Sequence, residues 1–188
     1  MMRIAVSGTH DTGKSTLIED FVAAFPDFEA VSEPYWTLVE RGVAFAARPV
    51  IADFEAQLGE SCRLILDEAH GENVVFDRCP LDFLAYLDVI GAGEGFEWLP
   101  QGKLLARISR ALASLDRIVF IPLVQPDEIA SPIELATLRR RVDARMKSMI
   151  RDDDLGLLSG RTRVIEVTGT RPGRLETLTS ALGLASQP

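Results

Sequence analysis

The segment GTHDTGKS, from Gly8 to Ser15, holds the residues with the clearest capacity for chemistry. It matches the pattern G-x-x-x-x-G-K-[ST], whose glycines let the backbone wrap closely around phosphate oxygens. A short apolar run precedes it and an amphipathic run follows, which predicts a strand, this loop and a helix whose N-terminus attracts anions. We expect Lys14 to reach the β- and γ-phosphates of ATP, Ser15 to ligate Mg²⁺ and Thr16 to lie near the α-phosphate. The other nucleotide-binding positions predicted in this loop are Gly8, Asp11, Thr12 and Gly13.

The tip of the loop holds His10 and Asp11, at positions that the pattern leaves variable. An acidic side chain at Asp11 is mildly unfavourable beside a triphosphate. We therefore expect both side chains to be solvated.

A loop of this kind needs a carboxylate at the end of a neighbouring strand, to hold Mg²⁺ or its water. Two segments compete for this role. The run LILDEAH at 64–70 looks like a helicase-type box, but its apolar residues continue the helical stripe of the preceding segment. Asp67 and Glu68 would then lie in the last turn of a helix that ends at Gly71. Asp77 follows the run NVVF, which predicts a strand, and we expect Asp77 to be the metal ligand.

Two further polar residues follow predicted strands. Arg78 directly follows the expected metal ligand and could bind the transferring phosphoryl group or the acceptor through its guanidinium. The alternative is a salt bridge beside the sheet. Glu33 follows the second strand, where it would face the phosphate loop and accept a proton from a substrate hydroxyl. Tyr35 and Trp36 could stack on a planar ring; otherwise this loop holds an acid with aromatic packing. The functional interpretation predicts a small hydroxylic acceptor, such as a nucleoside.

A basic cluster from Arg139 to Arg151 crowds the helix predicted after the fourth strand. In phosphoryl-transfer enzymes, a basic lid at this place neutralises developing charge and excludes water. We expect a short helical lid over about 125–155, with Arg141 and Arg145 on one face of the helix contacting the phosphates. A solvated helix with paired charges is the alternative.

All of these residues lie at the ends of elements that alternate along the chain. Five short apolar runs predict strands at 3–7, 30–32, 73–77, 117–121 and 163–167. Stripes of helical period predict helices between them, one over 83–90 that ends before Gly91 and Gly93. This alternation favours an α/β fold, a doubly wound five-stranded parallel sheet with its site at the carboxyl ends of the strands. After the fifth strand, Gly169 and Thr170 are expected to cradle the adenine ring.

Length and composition restrict the class of protein. The chain has 188 residues, of which 47% are hydrophobic. This length and this composition predict one domain over 1–188 with a sizeable core. The net charge is −8. The acidic balance disfavours broad binding to nucleic acid or membranes, and no run has the length of a membrane span. Cys62 and Cys79 lack the close spacing of a zinc site or a disulfide framework, so we expect a reduced, cytoplasmic protein.

The pattern as a whole resembles the P-loop nucleoside and nucleotide kinase group. The phosphate loop at 8–15, the pair Glu33-Pro34 with nearby Trp36, and the DR pair at 77–78 correspond to motifs of deoxynucleoside kinases and their relatives. The stretch VVFDRCPLDFLAY at 74–86 looks more like small bacterial AAA-type ATP-binding proteins of undefined activity, and so do the segment 139–154, Val167 and Gly169. That group is similar to the ribosylnicotinamide kinase domain. The resemblance implies a P-loop NTPase fold of the nucleotide-kinase type that uses ATP and Mg²⁺.

Two classes of function stay open at this point. The leading hypothesis is an ATP-dependent kinase that moves the γ-phosphoryl group to a small hydroxylic acceptor. The alternative is a nucleotide-dependent switch or ATPase module that acts through a protein partner. Guanine recognition by an N-K-x-D motif is impossible, because Asn73 is the only asparagine. The acidic balance disfavours a nucleic-acid 5′-end kinase, and the sequence leaves the oligomeric state open.

Overall fold

The computed structural model describes residues 1–68, 72–124, 133–158 and 162–184 of the chain. Within these ranges, helices alternate with strands that form a parallel sheet, as the sequence predicts for a doubly wound α/β fold. No helix of the described part is long and apolar enough to cross a membrane.

The strands of the sheet are β1 (Met2–Ser7), β2 (Glu29–Val31), β3 (Asn73–Asp77), β4 (Arg117–Phe120) and β5 (Arg163–Glu166). Their spatial order is β2-β3-β1-β4-β5, and every neighbouring pair is parallel. The register pairs Val6 with Asp77 and Ser7 with Phe120, so β1 ends between the ends of β3 and β4. The loop after β1 therefore lies at the centre of the carboxyl edge of the sheet.

The helices are α1 (Lys14–Ala24), α2 (Pro34–Glu40), α3 (Ile51–Arg63), α4 (Pro80–Glu94), α5 (Gly102–Ala113), α6 (Ile133–Asp152) and α7 (Arg171–Leu182). A π-helical turn, Leu64–Glu68, extends α3. Helix α2 replaces the loop that the sequence predicts after β2. Pro34 occupies its first turn, where the fixed φ of proline suits a helix and the missing N–H costs nothing.

Alternating residues of the strands supply two apolar cores, one on each face of the sheet. On β1, Ala5 packs into the larger core with α3, α4, α5 and α6. Ile4 and Val6 point the other way, into a smaller core with α1 and α7. The central strand is buried on both faces, which holds the loop that follows it in a fixed place.

Helix α4 is longer than the sequence predicts, since it passes through Gly91 and Gly93 and ends at Glu94, with Gly95 as its C-cap. Gly91 serves a close approach of chain segments rather than a helix end. A Cβ at this position would lie 3.1 Å from the carbonyl oxygen of Phe96 and 3.3 Å from Cβ of Trp98. Glycine therefore lets the following segment fold back against the helix.

Gly91→Ala and Gly59→Ala form a matched pair of substitutions inside helices. At Gly59 in α3, the added Cβ meets open space, so alanine should raise the free energy of unfolding by about 1 kcal/mol. At Gly91 the added methyl presses on a backbone oxygen, and we expect a free energy of unfolding below that of the wild type. Urea unfolding measures both variants, and equal stabilisation by the two would contradict this account.

Candidate active site

The phosphate loop connects β1 to α1 and contains three residues with positive φ. These are Gly8 (+153°), Asp11 (+57°) and Gly13 (+88°). A Cβ at Gly8 would lie 2.6 Å from the carbonyl oxygen of Ile121, so only glycine fits there. No side chain caps the first turn of α1, which begins at Lys14, and its N–H groups stay available to an anion. The loop therefore has the shape and the polarity that a phosphate requires.

Four cationic side chains from different parts of the fold hold the carbonyl groups of this loop. Each donates a hydrogen bond to one main-chain oxygen, at 2.5 to 3.0 Å. The pairs are Arg78 with Gly8, Lys14 with Thr9, Arg139 with His10 and Arg174 with Thr12. These contacts fix the orientation of the peptide planes of the loop.

Lys14 lies folded into the loop and is only 6% exposed. Burial lowers the pKa of its amine to about 8, and the charge of Arg78 adds to this effect, while Asp82 and Asp77 oppose it. The amine is a buried cation whose nearest recorded partner is the neutral carbonyl of Thr9. A polyphosphate would supply the negative charge that stabilises it.

Ser15 and Asp77 lie side by side, as expected of a metal-binding pair. The Ser15 hydroxyl donates to Oδ2 of Asp77 at 2.8 Å. The second oxygen of Asp77, Oδ1, is buried and has no hydrogen-bond partner among the described residues. Burial raises the pKa of the Asp77 carboxyl and Glu33 adds to the rise, while Lys14 opposes it. A buried carboxylate oxygen without a partner fits a divalent cation or its bound water.

Arg78 is buried beneath the loop, with a φ of +75° that is rare for a bulky residue. Its Nε donates to Glu33 at 2.5 Å, and its Nη1 donates to Asp82 at 3.2 Å as well as to Gly8. Its Nη2 lies 3.1 Å from Nδ1 of His10. Burial acts to lower the pKa of Arg78, but Glu33, Tyr86 and Asp82 together outweigh it and raise that pKa above its ordinary value. This is the salt bridge that the sequence left as an alternative, and contact with a phosphoryl group stays a prediction.

Asp82 is a site residue that the sequence analysis missed. Its carboxylate is fully buried and accepts hydrogen bonds from the N–H groups of Gly8 and Cys79 and from Arg78. The signal was present, because an acid three residues after the residue preceding a helix commonly caps that helix. Asp82 thereby connects the first turn of α4 to the start of the phosphate loop.

Glu33 lies at the start of α2 and borders an open cavity of about 420 Å³. Burial acts to raise the pKa of Glu33, but the charges of Arg78 and Lys14 outweigh it and hold this pKa below its ordinary value. Glu33 is therefore an ionised carboxylate at neutral pH. The remaining residues that line the cavity are His10, Tyr35, Trp36, Phe45, Ala46, Ala47, Pro49, Asp53, Phe54 and Gln57.

The aromatic side chains beside Glu33 form part of the cavity wall. Tyr35 stacks on Phe45, with ring centroids 4.7 Å apart, and meets Trp36 edge to face. Trp36 itself is 58% exposed. Both predicted aromatic residues thus border the cavity, and Phe45 joins them from the segment between α2 and α3.

The competing acid pair lies away from this site. Asp67 is in the π-helical turn after α3, is largely exposed and pairs with Arg107 at 3.6 Å. The prediction that Asp67 and Glu68 belong to a helical segment is confirmed. His70, the last residue of the helicase-like run, and Gly71, the predicted end of the helix, lie outside the described residues.

The expected lid does not cover the loop with the arginines that were predicted. Arg145 pairs with Asp88 and with Asp154, and Arg141 donates to the carbonyl of Val89 at 3.4 Å. Helix α6 packs against α4, so both arginines contact α4 or nearby acids instead of the phosphate loop. This arrangement corrects the prediction and favours its alternative, a helix with paired charges. The first part of the predicted lid, 125–132, lies outside the described residues.

A different arginine of α6 reaches the phosphate loop. Arg139 is fully buried, and its Nε donates to the carbonyl of His10 at 3.0 Å. It lies three residues before Val142 and seven before Met146, which places it on the buried face of the helix. An arginine on an apolar stripe was the sequence signal that would have identified it.

The loop after β5 also lies near the phosphate loop. Thr170 caps α7 through its side-chain oxygen, which accepts from the N–H of Gly173. Arg174, which the sequence analysis did not select, donates from Nε to Gly169 at 2.9 Å and from Nη1 to Thr12. A cavity of about 200 Å³ lies here, lined by Gly13, Thr16, Leu17, Asp20, Gly169, Arg171 and Arg174.

The tip of the loop divides into an exposed residue and an enclosed one. Asp11 is exposed, as predicted. His10 is half-buried, because its ring packs against Tyr86 at a centroid distance of 5.2 Å and faces Arg78. The prediction of a solvated side chain is therefore wrong for His10.

Known structures with this fold include several kinases. A thymidylate kinase from Candida albicans is 14% identical and has a TM-score of 0.64, with 97% of this chain and 91% of that one covered. A deoxyadenosine kinase from M. mycoides with bound dATP is 15% identical, with a TM-score of 0.65 and coverage of 97% and 100%. A NadR protein in complex with NR is 14% identical at a TM-score of 0.64 and covers all of this chain, which spans only 52% of that protein.

These likenesses confirm the predicted α/β fold, which the chain shares with these three proteins. A search of curated proteins found no match to the sequence. Residues 3–153, which include the phosphate loop, Glu33, Asp77 and Arg139, match a family described as an AAA domain. Because the match extends over more than half of the sequence, the chain belongs to this AAA domain family.

Proposed function

We propose that this protein is an ATP- and Mg²⁺-dependent kinase that transfers the γ-phosphoryl group to a hydroxyl group of a small, nucleoside-like acceptor. The observation that carries the proposal is the open cavity beside Glu33, on the same sheet edge as the phosphate loop. A phosphate loop alone serves both ATPases and kinases. A separate cavity with a carboxylate at its border is what an acceptor requires.

On the donor side, the loop would hold the phosphates of ATP through its N–H groups, the N-terminus of α1 and the Lys14 amine. The small cavity beside Gly169 would hold the adenine end of the nucleotide. Its lining includes Gly13 and Thr16, so this position is continuous with the loop. Arg174 contacts both Thr12 and Gly169 and would keep the two parts of the nucleotide site together.

The residues present fit a Mg²⁺ ion. Ser15 and Asp77 would hold it, because their oxygens are adjacent and Oδ1 of Asp77 has no partner among the described residues. In the described part of the chain, no group of three His, Cys, Asp or Glu side chains could cage a metal alone. Phosphate and water oxygens would complete the shell, as Mg²⁺ prefers. When bound, the ion supplies positive charge to the phosphates.

On the acceptor side, the cavity suits a flat ring attached to a hydroxylic group. Its volume of about 420 Å³ lies within the range of small-molecule sites, and Tyr35, Phe45 and Phe54 contribute flat apolar surface. Asp53 and Gln57 add polar groups to the same wall. This mixture of aromatic surface and a few hydrogen-bonding groups is what a nucleobase requires.

The transfer itself needs in-line positioning and one proton acceptor. The oxygen of the acceptor hydroxyl attacks the γ-phosphorus, the bond to the oxygen of the leaving ADP breaks, and the proton of the hydroxyl passes to Glu33. Glu33 is ionised and held by Arg78, so it can receive this proton without first losing one. The cations around the loop would stabilise the charge on the transferred group.

Phosphoryl transfer from γ-labelled ATP to a panel of nucleosides, nucleotides and ribosylated cofactors tests the proposal. We expect a labelled acceptor product with wild-type protein, and a loss of about 100-fold or more in Lys14→Ala. Lys103→Ala is the matched control, since this exposed lysine lies on α5 and should leave transfer unchanged. Release of phosphate without any labelled acceptor would instead favour the ATPase or switch alternative.

Glu33→Gln separates proton transfer from nucleotide binding. The amide keeps an oxygen for Arg78 but cannot take the proton, so kcat should fall about 100-fold or more. The KM for ATP should stay near the wild-type value. Asp67→Asn, in the competing acid pair, should leave both constants unchanged. If Asp67→Asn lost transfer and Glu33→Gln retained it, the acid that transfer requires would be Asp67 and not Glu33.

Asp77→Asn tests the metal site without relying on activity. Replacing a carboxylate by an amide should weaken the binding of Mn²⁺ with ADP about ten- to hundredfold, measured by electron paramagnetic resonance of the free ion. Asp67→Asn again serves as the control. Unchanged Mn²⁺ affinity in Asp77→Asn would remove Asp77 from the metal site.

A further inference from the structure

His10 is held in a defined position by groups on three sides. Its N–H donates to the hydroxyl of Tyr86 at 3.2 Å, and its carbonyl accepts from Arg139 at 3.0 Å. The ring lies tilted against the ring of Tyr86 and faces Arg78. Neither the backbone nor the side chain is therefore free in the manner of an exposed loop tip.

The contact with Arg78 determines which ring nitrogen of His10 carries the proton. Nη2 of Arg78 lies 3.1 Å from Nδ1 of His10. A guanidinium has only donors, so Nδ1 must accept and must carry a lone pair. In the neutral ring the proton then resides on Nε2, which becomes a donor.

The charges around the ring keep it neutral. Burial lowers the pKa of His10 to about 3, and the cations Arg78, Lys14 and Arg139 add to this, while Glu33 opposes them. The ring consequently presents a single, fixed pattern at neutral pH, with an acceptor toward Arg78 and a donor on its opposite edge.

That opposite edge is the part of the ring left to meet the cavity. His10 lines the same cavity as Glu33, and Nδ1 is already occupied by Arg78. Nε2 has no hydrogen-bond partner recorded among the described residues, and it is not among their buried polar atoms without a partner. A donor of this kind beside Glu33 is available to a molecule in the cavity.

We propose that His10 is a specificity-determining residue that donates a hydrogen bond from Nε2–H to an oxygen of the acceptor, near the hydroxyl group that is phosphorylated. This inference rests on the proposed kinase function. It restricts the acceptor to molecules that carry an oxygen close to the reacting hydroxyl, as the ring oxygen or a neighbouring hydroxyl of a pentose does. His10 and Glu33 then contact two oxygens of the same sugar. His10 donates a hydrogen bond to one of them, and Glu33 accepts a hydrogen bond from the other.

A purely structural role for His10 makes a different prediction, which two amide variants can separate. In His10→Asn, the side-chain oxygen can replace Nδ1 and keep the contact with Arg78, but the donor toward the cavity is lost. In His10→Gln, the longer side chain can place an N–H near the position of Nε2. The proposal requires the glutamine variant to bind the acceptor more tightly than the asparagine variant. If His10 serves only to contact Arg78, the asparagine variant should bind the acceptor more tightly.

Steady-state kinetics with an acceptor that the wild type phosphorylates is the first test. We expect His10→Asn to raise the KM for the acceptor about tenfold, with the KM for ATP unchanged, and His10→Gln to stay within about threefold of the wild type. Any other order of the two variants overturns the proposal. If the wild type phosphorylates no acceptor, the proposed function itself fails, and this inference fails with it for that separate reason.

Nitrogen-15 NMR provides a test on the native side chain, which does not depend on how the His10 variants fold. The chain has two histidines, His10 and His70, so spectra of His70→Gln report His10 alone. We expect a neutral ring with its proton on Nε2, and a shift of the Nε2 resonance when the acceptor is added. A proton on Nδ1, or an Nε2 resonance that a bound acceptor does not move, would overturn the proposal.

Discussion

The candidate site depends on one constraint, which is that the carbonyl groups of the phosphate loop must be held while its interior is kept for an anion. Cations from the start of α1, the end of β3, α6 and α7 satisfy four of these carbonyls. A hydrogen bond from a charged donor is stronger than one between neutral groups, so these contacts fix the loop before any ligand binds. The same cations place positive charge around the loop without a carboxylate occupying its centre. Rigidity and anion attraction thus come from one set of contacts.

Arg78 carries most of the connection between the two halves of the site. Its guanidinium contacts Gly8 in the phosphate loop and Glu33 at the border of the larger cavity, and Asp82 anchors it to α4. A buried cation is tolerated only when its charge is compensated and its N–H groups are bonded, and two carboxylates and a carbonyl meet that condition here. Removing one partner would leave a charge unpaired inside the protein. The strained φ of Arg78 is consistent with a backbone that is held in place to make these contacts.

Much of the fold was predictable because it follows from local patterns. The phosphate loop, the strand ending at Asp77 and the alternation of strands and helices are read from neighbouring residues. The helix at Pro34 was missed although proline in a first turn is a local signal for a helix start. The continuation of α4 through Gly91 was missed because this glycine allows the nearby Phe96 and Trp98 to pack closely and does not end the helix. The environment of His10 was missed because it depends on contacts between distant segments. Its partners Arg78 and Tyr86 are distant in sequence, and no local pattern brings them to the loop.

The basic helix α6 shows how the period of a helix separates structural charges from those that reach the site. Arg141 and Arg145 share a face, which suggested a common target, but that face meets α4 and its acids. Arg139 lies on the buried stripe with Val142 and Met146, where an unpaired charge would be costly. An arginine retained there must find polar partners inside the protein, and one of them is a carbonyl of the phosphate loop. In an acidic chain, a cation on an apolar stripe is therefore more informative about an anion site than a denser cluster on the exposed face.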